Sequence, residues 1–151
     1  MGKRVIVVGG GIAGMQTALK LSAGGVSALL LERDADLGGK LTGWHKLFPS
    51  FTPAHEVLDE LRRRLAASDV EVRTRCEVAE VARDGVTLST GERLEADAVV
   101  VATGFTLFDA RIKEEYGYGI YDNVYTTVDI ERMLNEGRVA LKDGTAPRRI
   151  A

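Results

Sequence analysis

Three glycines and one acid are the residues of this chain whose types and spacing point to chemistry. Gly9, Gly11 and Gly14 follow the apolar run Val5 to Val8 directly, and a helical pattern through Met15, Ala18, Leu19 and Leu21 follows them. A second apolar run, Ala28 to Leu31, ends in Glu32, about 20 residues beyond Gly11, as a dinucleotide site requires. Each residue has its physical task. Gly9 turns the chain off a strand, Gly11 keeps side chains away from a pyrophosphate, and Gly14 lets the helix approach the sheet. The free N–H groups at the start of the helix, on Ile12 and Ala13, point at the phosphates, and the helix dipole favours their charge. Glu32 accepts hydrogen bonds from a ribose diol, and a carboxylate there repels a 2′-phosphate, which disfavours NADP. A glycine turn alone occurs in many α/β proteins. Strand, turn, helix, second strand and acid in one register point to a nucleotide site.

The rest of the composition narrows the class. With 151 residues the chain has material for one core, and 45% apolar residues with 28% charged suit an ordinary α/β protein. A net charge of -2 gives no electrostatic reason to bind nucleic acid or an anionic membrane surface. No apolar run is long enough to span a bilayer, and Met1 to Arg4 leads into a strand, so a cytoplasmic protein is expected. Cys76 is the single cysteine, so no internal disulfide, CxxC pair or metal site is expected, and redox chemistry would need a cofactor.

The elements that must hold the glycines in place follow in order. Arg33 to Lys40 is a loop. Thr52 as cap and Pro53 at the first helical position predict a helix over 53–67, with Val57, Leu58, Leu61 and Leu65 on its apolar face and Arg62, Arg63 and Arg64 on a solvated one. Residues 70–75 alternate as a strand does, and runs through Cys76 to Val81, Val86 to Ser89 and Arg93 to Glu95, separated by Asp84-Gly85 and Thr90-Gly91, predict a small antiparallel meander. Cys76 reads as a small buried hydrophobe. Asp97 to Val101, followed by Ala102, Thr103 and Gly104, reads as a buried parallel strand ending in small residues that would admit a ligand. The expected fold is a Rossmann-like α/β fold, a parallel sheet of the strands at 4–8, 28–32, 70–75 and 97–101 flanked by helices, with the meander inserted. Ligand would sit at the carboxyl ends of those strands. In the tail, Tyr116, Tyr118, Tyr121 and Tyr125 with Gly117 and Gly119 make an aromatic loop, and Thr127 is expected to cap a helix bearing Ile130, Met133 and Leu134 and ending at Gly137. The domain reading is 1–110 for nucleotide binding and 111–151 as an extension.

The set GGGIAG, LLLER, DLGGK, the meander and VVVATGF resembles the FAD-binding domain of the two-dinucleotide-binding-domain flavoproteins. The pieces GGKLTGWHKLFPS and YGYGIYDNVYTTVDIERMLNEG are similar to the A subunits of heterodisulfide reductase and of the quinone-interacting membrane-bound oxidoreductase. The resemblance implies FAD as cofactor, with Gly9, Gly11, Ala13, Gly14 and Gly39 at its phosphates and Gly38, Gly39 and Lys40 forming a second phosphate contact that an NAD site does not need. It implies Glu32 at the ribose, Arg33 and Val78 by the adenine, and Ala102, Thr103 and Gly104 toward the flavin. Val78 reads equally well as an inward-facing strand valine, and Trp44 and Phe48 as flavin contacts or as cover for the sheet edge.

The sequence departs from the heterodisulfide reductase pattern, which carries cysteine after a Phe-Pro pair. Here Phe48 to Pro53 has none, and no iron-sulfur cluster is assigned. A second glycine fingerprint is also missing, so the chain is expected to be a piece of a larger flavoprotein, or to be completed by another oxidoreductase subunit or a second copy of itself. No catalytic side chain is assigned. His45 without a visible partner identifies no mechanism. The expected function is an FAD-dependent oxidoreductase; a noncatalytic FAD-binding module and an NAD-binding domain are the alternatives.

Overall fold

A computed structural model describes residues 2–151. In chain order it contains strand β1 (Arg4–Val8), helix α1 (Ile12–Ala23), strands β2 (Ser27–Leu31), β3 (Lys46–Leu47) and β4 (Thr52–Pro53), helix α2 (Ala54–Ala66), strands β5 (Glu71–Arg73), β6 (Val78–Ala82), β7 (Gly85–Leu88), β8 (Arg93–Glu95) and β9 (Ala98–Val101), and helix α3 (Thr127–Asn135). The chain divides into two compact units, Met1–Thr42 with Glu56–Phe105, and Gly43–His55 with Thr106–Ala151.

The first unit is built on a four-stranded parallel sheet in the order β5-β2-β1-β9. Parallel strands need a crossover between them, and α1 supplies the one from β1 to β2, packing on both. Strands covered on both faces should be apolar throughout, as Val5 to Val8 and Ala28 to Leu31 are, and all eight are buried. One face of this sheet is covered by the three-stranded antiparallel meander β6-β7-β8. Val86, Leu88 and Leu94 close against Ile6, Val8, Leu29 and Leu31, and Cys76 and Val78 pack half-buried at the margin. Fully burying side chains of this size contributes about 1.5–3 kcal/mol each. Arg93 bridges to Asp84 at 2.7 Å across the meander, and that hydrogen bond, more than its charge, holds the Asp84 carboxyl below its ordinary value.

The expected α/β architecture is therefore present, with differences in detail. Strand β9 is the edge of the sheet and not a buried interior strand. Its apolar run meets β1 on one side only, and Val101 keeps 60% of its surface exposed. Thr52 and Pro53 do not start α2 but form β4, pairing antiparallel with β3. Proline's fixed φ fits an extended residue as well as a helix start, and the Ala54 N–H is taken by the His45 carbonyl at 3.0 Å. Arg62 is half-buried, whereas Arg63 and Arg64 lie on the solvated face.

In the second unit, the cap of α3 is Thr126 and not Thr127. A capping box needs an acid three residues on, which from Thr126 is Asp129 and from Thr127 would be Ile130. Phe48 does not serve as cover, since it is 87% exposed and stacks edge-on against Phe51 with ring centres 6.4 Å apart. Tyr116 and Tyr121 are also exposed.

Candidate functional site

At the carboxyl end of β1 the Gly9 N–H donates to the Leu31 carbonyl at 2.8 Å, and the backbone then turns through φ +108°. A side chain at Gly9 would be strained, and its Cβ would lie 2.5 Å from the Ala102 carbonyl oxygen. At Gly14 an added Cβ would drive into the Gly9 carbonyl, so this glycine sets how closely α1 approaches the sheet. Gly11 differs from both. Its φ is an ordinary -73°, and a Cβ there would meet no atom within 4 Å. Packing therefore does not require glycine at this position, and the room in front of it is open.

That room lies at the start of α1. Gly11 takes the cap position without a side chain to give, the first helical turn holds no acid, and the first backbone bond runs from the Met15 N–H to the Gly11 carbonyl at 3.0 Å. Ile12 and Ala13 are exposed, and the positive end of the helix dipole lies at this end of α1, where it favours an anion.

Glu32 is the buried charged residue, 6% exposed. Its backbone is fixed between neighbouring elements, its N–H donating to the Arg73 carbonyl at 2.9 Å and its carbonyl accepting from the Cys76 N–H at 2.8 Å. Its carboxylate accepts from the Gly10 N–H at 2.6 Å and from the Asp34 N–H at 2.9 Å. Two carboxylate oxygens offer about four acceptor positions. With two in use, the group retains capacity for a ribose diol.

The loop after Glu32 comes back to the glycine turn. The Gly38 N–H donates to the Gly10 carbonyl at 2.9 Å, and a bridge pairs Gly38 with Gly11. Gly38 and Gly39 adopt φ +135° and +52°, and a Cβ on Gly39 would stand 3.3 Å from the Gly11 Cα. The structure therefore brings together Gly9, Gly11, Ile12, Ala13, Gly14, Glu32, Gly38 and Gly39. Ala102 joins them through its N–H, which donates to the Val8 carbonyl at 2.8 Å, and it leads into exposed Thr103 and into Gly104 at φ +75°. Lys40 stands with its ammonium 4.6 Å from the centre of the Phe105 ring. Arg33 is exposed and 3.8 Å from Asp34, while Val78 packs on the core at the meander. Sequence reasoning missed Gly10 and Leu37, which lie so close that any side chain on Gly10 would strike Leu37 and the Glu32 carboxylate. The middle glycine of the Gly9-Gly10-Gly11 run was the available signal.

The second unit holds polar contacts of another kind. Glu131 of α3 accepts from the His45 N–H at 2.6 Å, and Asn135 donates to the Gly43 carbonyl at 2.9 Å while its oxygen lies 3.3 Å from His45 Nδ1. Burial alone would raise the Asp129 carboxyl, but hydrogen bonds from the Thr126 side chain and backbone and from Tyr118, with the charge of Arg132, outweigh it and hold the group below its usual value. These contacts fasten α3 to the segment before β3. Among the described residues no cluster of His, Cys, Asp and Glu could hold a metal ion, and no helix is long and apolar enough to cross a membrane.

Comparison with known proteins agrees with this geometry. Residues 7–60 match the family model of the NAD(P)-binding Rossmann-like domain, and residues 48–113 that of the flavin containing amine oxidoreductases. Over 62 residues the chain is 45% identical to the A subunit of the H2/formate:CoB-CoM heterodisulfide, ferredoxin reductase of Methanococcus maripaludis, covering 37% of this chain and 9% of that protein. It is 52% identical over 64 residues to an iron-sulfur A subunit of the CoB–CoM heterodisulfide reductase of Methanopyrus kandleri, covering 38% and 10%. The match thus spans about a tenth of the length of these relatives. Among solved structures, the tetrameric form of 2-methyl-3-hydroxypyridine-5-carboxylic acid oxygenase superposes with a TM-score of 0.58 at 23% identity, over 69% of this chain and 40% of that one. A 2-naphthoyl-CoA reductase in complex with 2-naphthoyl-CoA gives 0.51 at 26% identity, over 75% and 16%.

Proposed function

We infer that this chain, a flavoprotein-type dinucleotide-binding domain related to the A subunit of heterodisulfide reductase, holds FAD for an oxidoreductase. The observation that carries the reading is the pairing of two glycine loops. Gly38 is bonded to Gly10 and bridged to Gly11, and Gly39 lies against Gly11, beside a helix start that no side chain caps among the described residues. One glycine turn suffices for a pyrophosphate at a helix N-terminus, and the second loop adds backbone to the same place. The flavin-type family match over residues 48–113 supports FAD over NAD, although the first family model is described by NAD(P).

In this reading Gly11, Ile12, Ala13 and Gly39 hold the phosphates, with Gly9 and Gly14 shaping the turn, and Glu32 holds the ribose. Arg33 and Val78 border the adenine, Lys40 adds a cation, and Ala102, Thr103 and Gly104 line the way to the ring. The flavin supplies the acceptance and release of electrons, and the protein's part is to bind it, orient it and set its surroundings. The remainder of a larger oxidoreductase, a further subunit or a second copy supplies donor and acceptor, in the cytoplasm. The exposed apolar edge at β9, with Val101 60% and Phe105 59% exposed, supports such a contact.

Absorbance tests the reading. The purified chain, mixed with FAD and desalted, is expected to retain the flavin bands, and Gly11→Val to lose them while its apo thermal midpoint stays native. Titration with FAD, ADP and NAD completes the test: tight NAD binding without FAD binding would overturn the flavin assignment.

A further inference from the structure

Helix α2 reaches the nucleotide site through a polar side chain as well as an apolar one. Arg62 is half-buried, and its guanidinium donates a hydrogen bond to the carbonyl of Leu37. The N–H of that same peptide unit, on Gly38, donates to the Gly10 carbonyl at 2.9 Å, and the Gly10 N–H donates in turn to Glu32 at 2.6 Å. One peptide plane is thus gripped at both ends, by α2 at its oxygen and by the glycine turn at its nitrogen. The next two carbonyls of the loop are also committed, Gly38 to the Leu41 N–H at 3.1 Å and Gly39 to the Thr42 hydroxyl at 2.8 Å. Leu58, one turn before Arg62 on α2, crowds Gly38 together with Thr42: an added Cβ there would stand 2.8 Å from Thr42 Cγ2 and 3.0 Å from both Leu58 methyl carbons, on a backbone at φ +135°.

We propose that Arg62 is a positioning residue for the dinucleotide site: it fixes the Leu37–Gly38 peptide, and through it holds the Gly38-Gly39 turn against Gly10 and Gly11. This rests on the reading of the site as dinucleotide-binding. Arg62 acts through the Leu37–Gly38 peptide: a charged donor binds the Leu37 carbonyl more strongly than a neutral one would, and the peptide so polarised makes its Gly38 N–H a better donor to the Gly10 carbonyl. Arg63, paired with Glu60 at 2.7 Å, is the neighbouring arginine that does not take part.

The test uses Arg62→Met, which keeps the length of the side chain and removes its donors, with Arg63→Met as control. Hydrogen exchange of the Gly38 amide in the apo chain is expected to accelerate about tenfold or more in Arg62→Met, the loss of a hydrogen bond to a charged group, while Val7 and Leu30 in the sheet exchange as before. The dissociation constant for FAD should rise by a similar factor with the apo thermal midpoint little changed, and Arg63→Met should match the native chain in both. Native Gly38 exchange and native FAD affinity in Arg62→Met would overturn the proposal. Should that variant not fold, the same readings apply to Arg62→Gln, whose shorter side chain withdraws the guanidinium. If the native chain takes up neither FAD nor ADP, the dinucleotide reading fails, and Arg62 is then judged by Gly38 exchange alone as the anchor of the turn.

Discussion

Helix α1 begins at Gly11 with no side chain over its first turn and no acid within it, whereas α3 begins at Thr126 under a box that Asp129 closes from within. Both helices face the same problem, since the first N–H groups of any helix lack intrahelical acceptors. The second unit solves it locally: Asp129 accepts from the Thr126 N–H at 2.9 Å, and Thr126 accepts from the Asp129 N–H at 3.3 Å. The first unit leaves it unsolved beside two glycine loops and a buried acid. A terminus that the chain caps for itself is a structural element, and one that it surrounds with small residues and leaves open is suited to take an acceptor from outside.

This contrast can be broken at either end. The largest effect belongs to Gly11→Val, which should abolish FAD retention without lowering the apo midpoint, because a Cβ there meets no protein atom within 4 Å. Gly14→Val lies one helical turn further on and should lower the stability of the apo chain, as Gly11→Val does not. Its Cβ meets the Gly9 carbonyl, a backbone atom that cannot step aside, and urea unfolding should register a loss of about 3 kcal/mol. If Gly14→Val kept native stability, close approach of α1 to the sheet would not be what this glycine provides. Thr126→Ala should cost about 1 kcal/mol and leave FAD affinity unchanged, since it uncaps α3 alone.

Acid provides the mildest test. The Asp129 carboxyl is held below its usual value in the fold, so its contribution is complete above the unfolded value of about 3.9 and fades as pH falls through the folded one. Amide shifts of Thr126 and Asp129 should therefore move between about pH 5 and pH 2, and fail to do so in Asp129→Asn.

Much of the site is visible in the residues because its determinants are local. Gly9, Gly11 and Gly14 follow one strand within a single turn and are set by backbone conformation and close packing, both properties of residue type. Glu32 stands at the end of an apolar run, and strand length alone puts it beside the turn. The cap of α3 reads one residue late in the sequence because two threonines adjoin; the spacing to Asp129 was the signal that distinguishes them, and the reciprocal bond from Asp129 confirms it. Arg62 reads as one of three solvated arginines; its place one turn after Leu58 sets it apart from Arg63 and Arg64, but the Leu37 carbonyl it meets lies 25 residues back in the chain.

Strand β9 draws the same line at the scale of the sheet. Its composition, an unbroken apolar run, is that of a strand with neighbours on both sides, and the pairing leaves it at the edge with β1 as its one partner. By itself the sequence determined the strand–turn–helix unit, the buried runs that make a parallel sheet, the acid at Glu32 and the meander, because each depends on periodicity or on a residue's own conformational limits. Tertiary structure decided which carbonyls the guanidinium of Arg62 and the N–H of Gly38 would meet, which helix start would be left open, and that β9 would lie outermost. Those outcomes depend on groups far apart in the chain, and their geometry exists only once the sheet has brought them together.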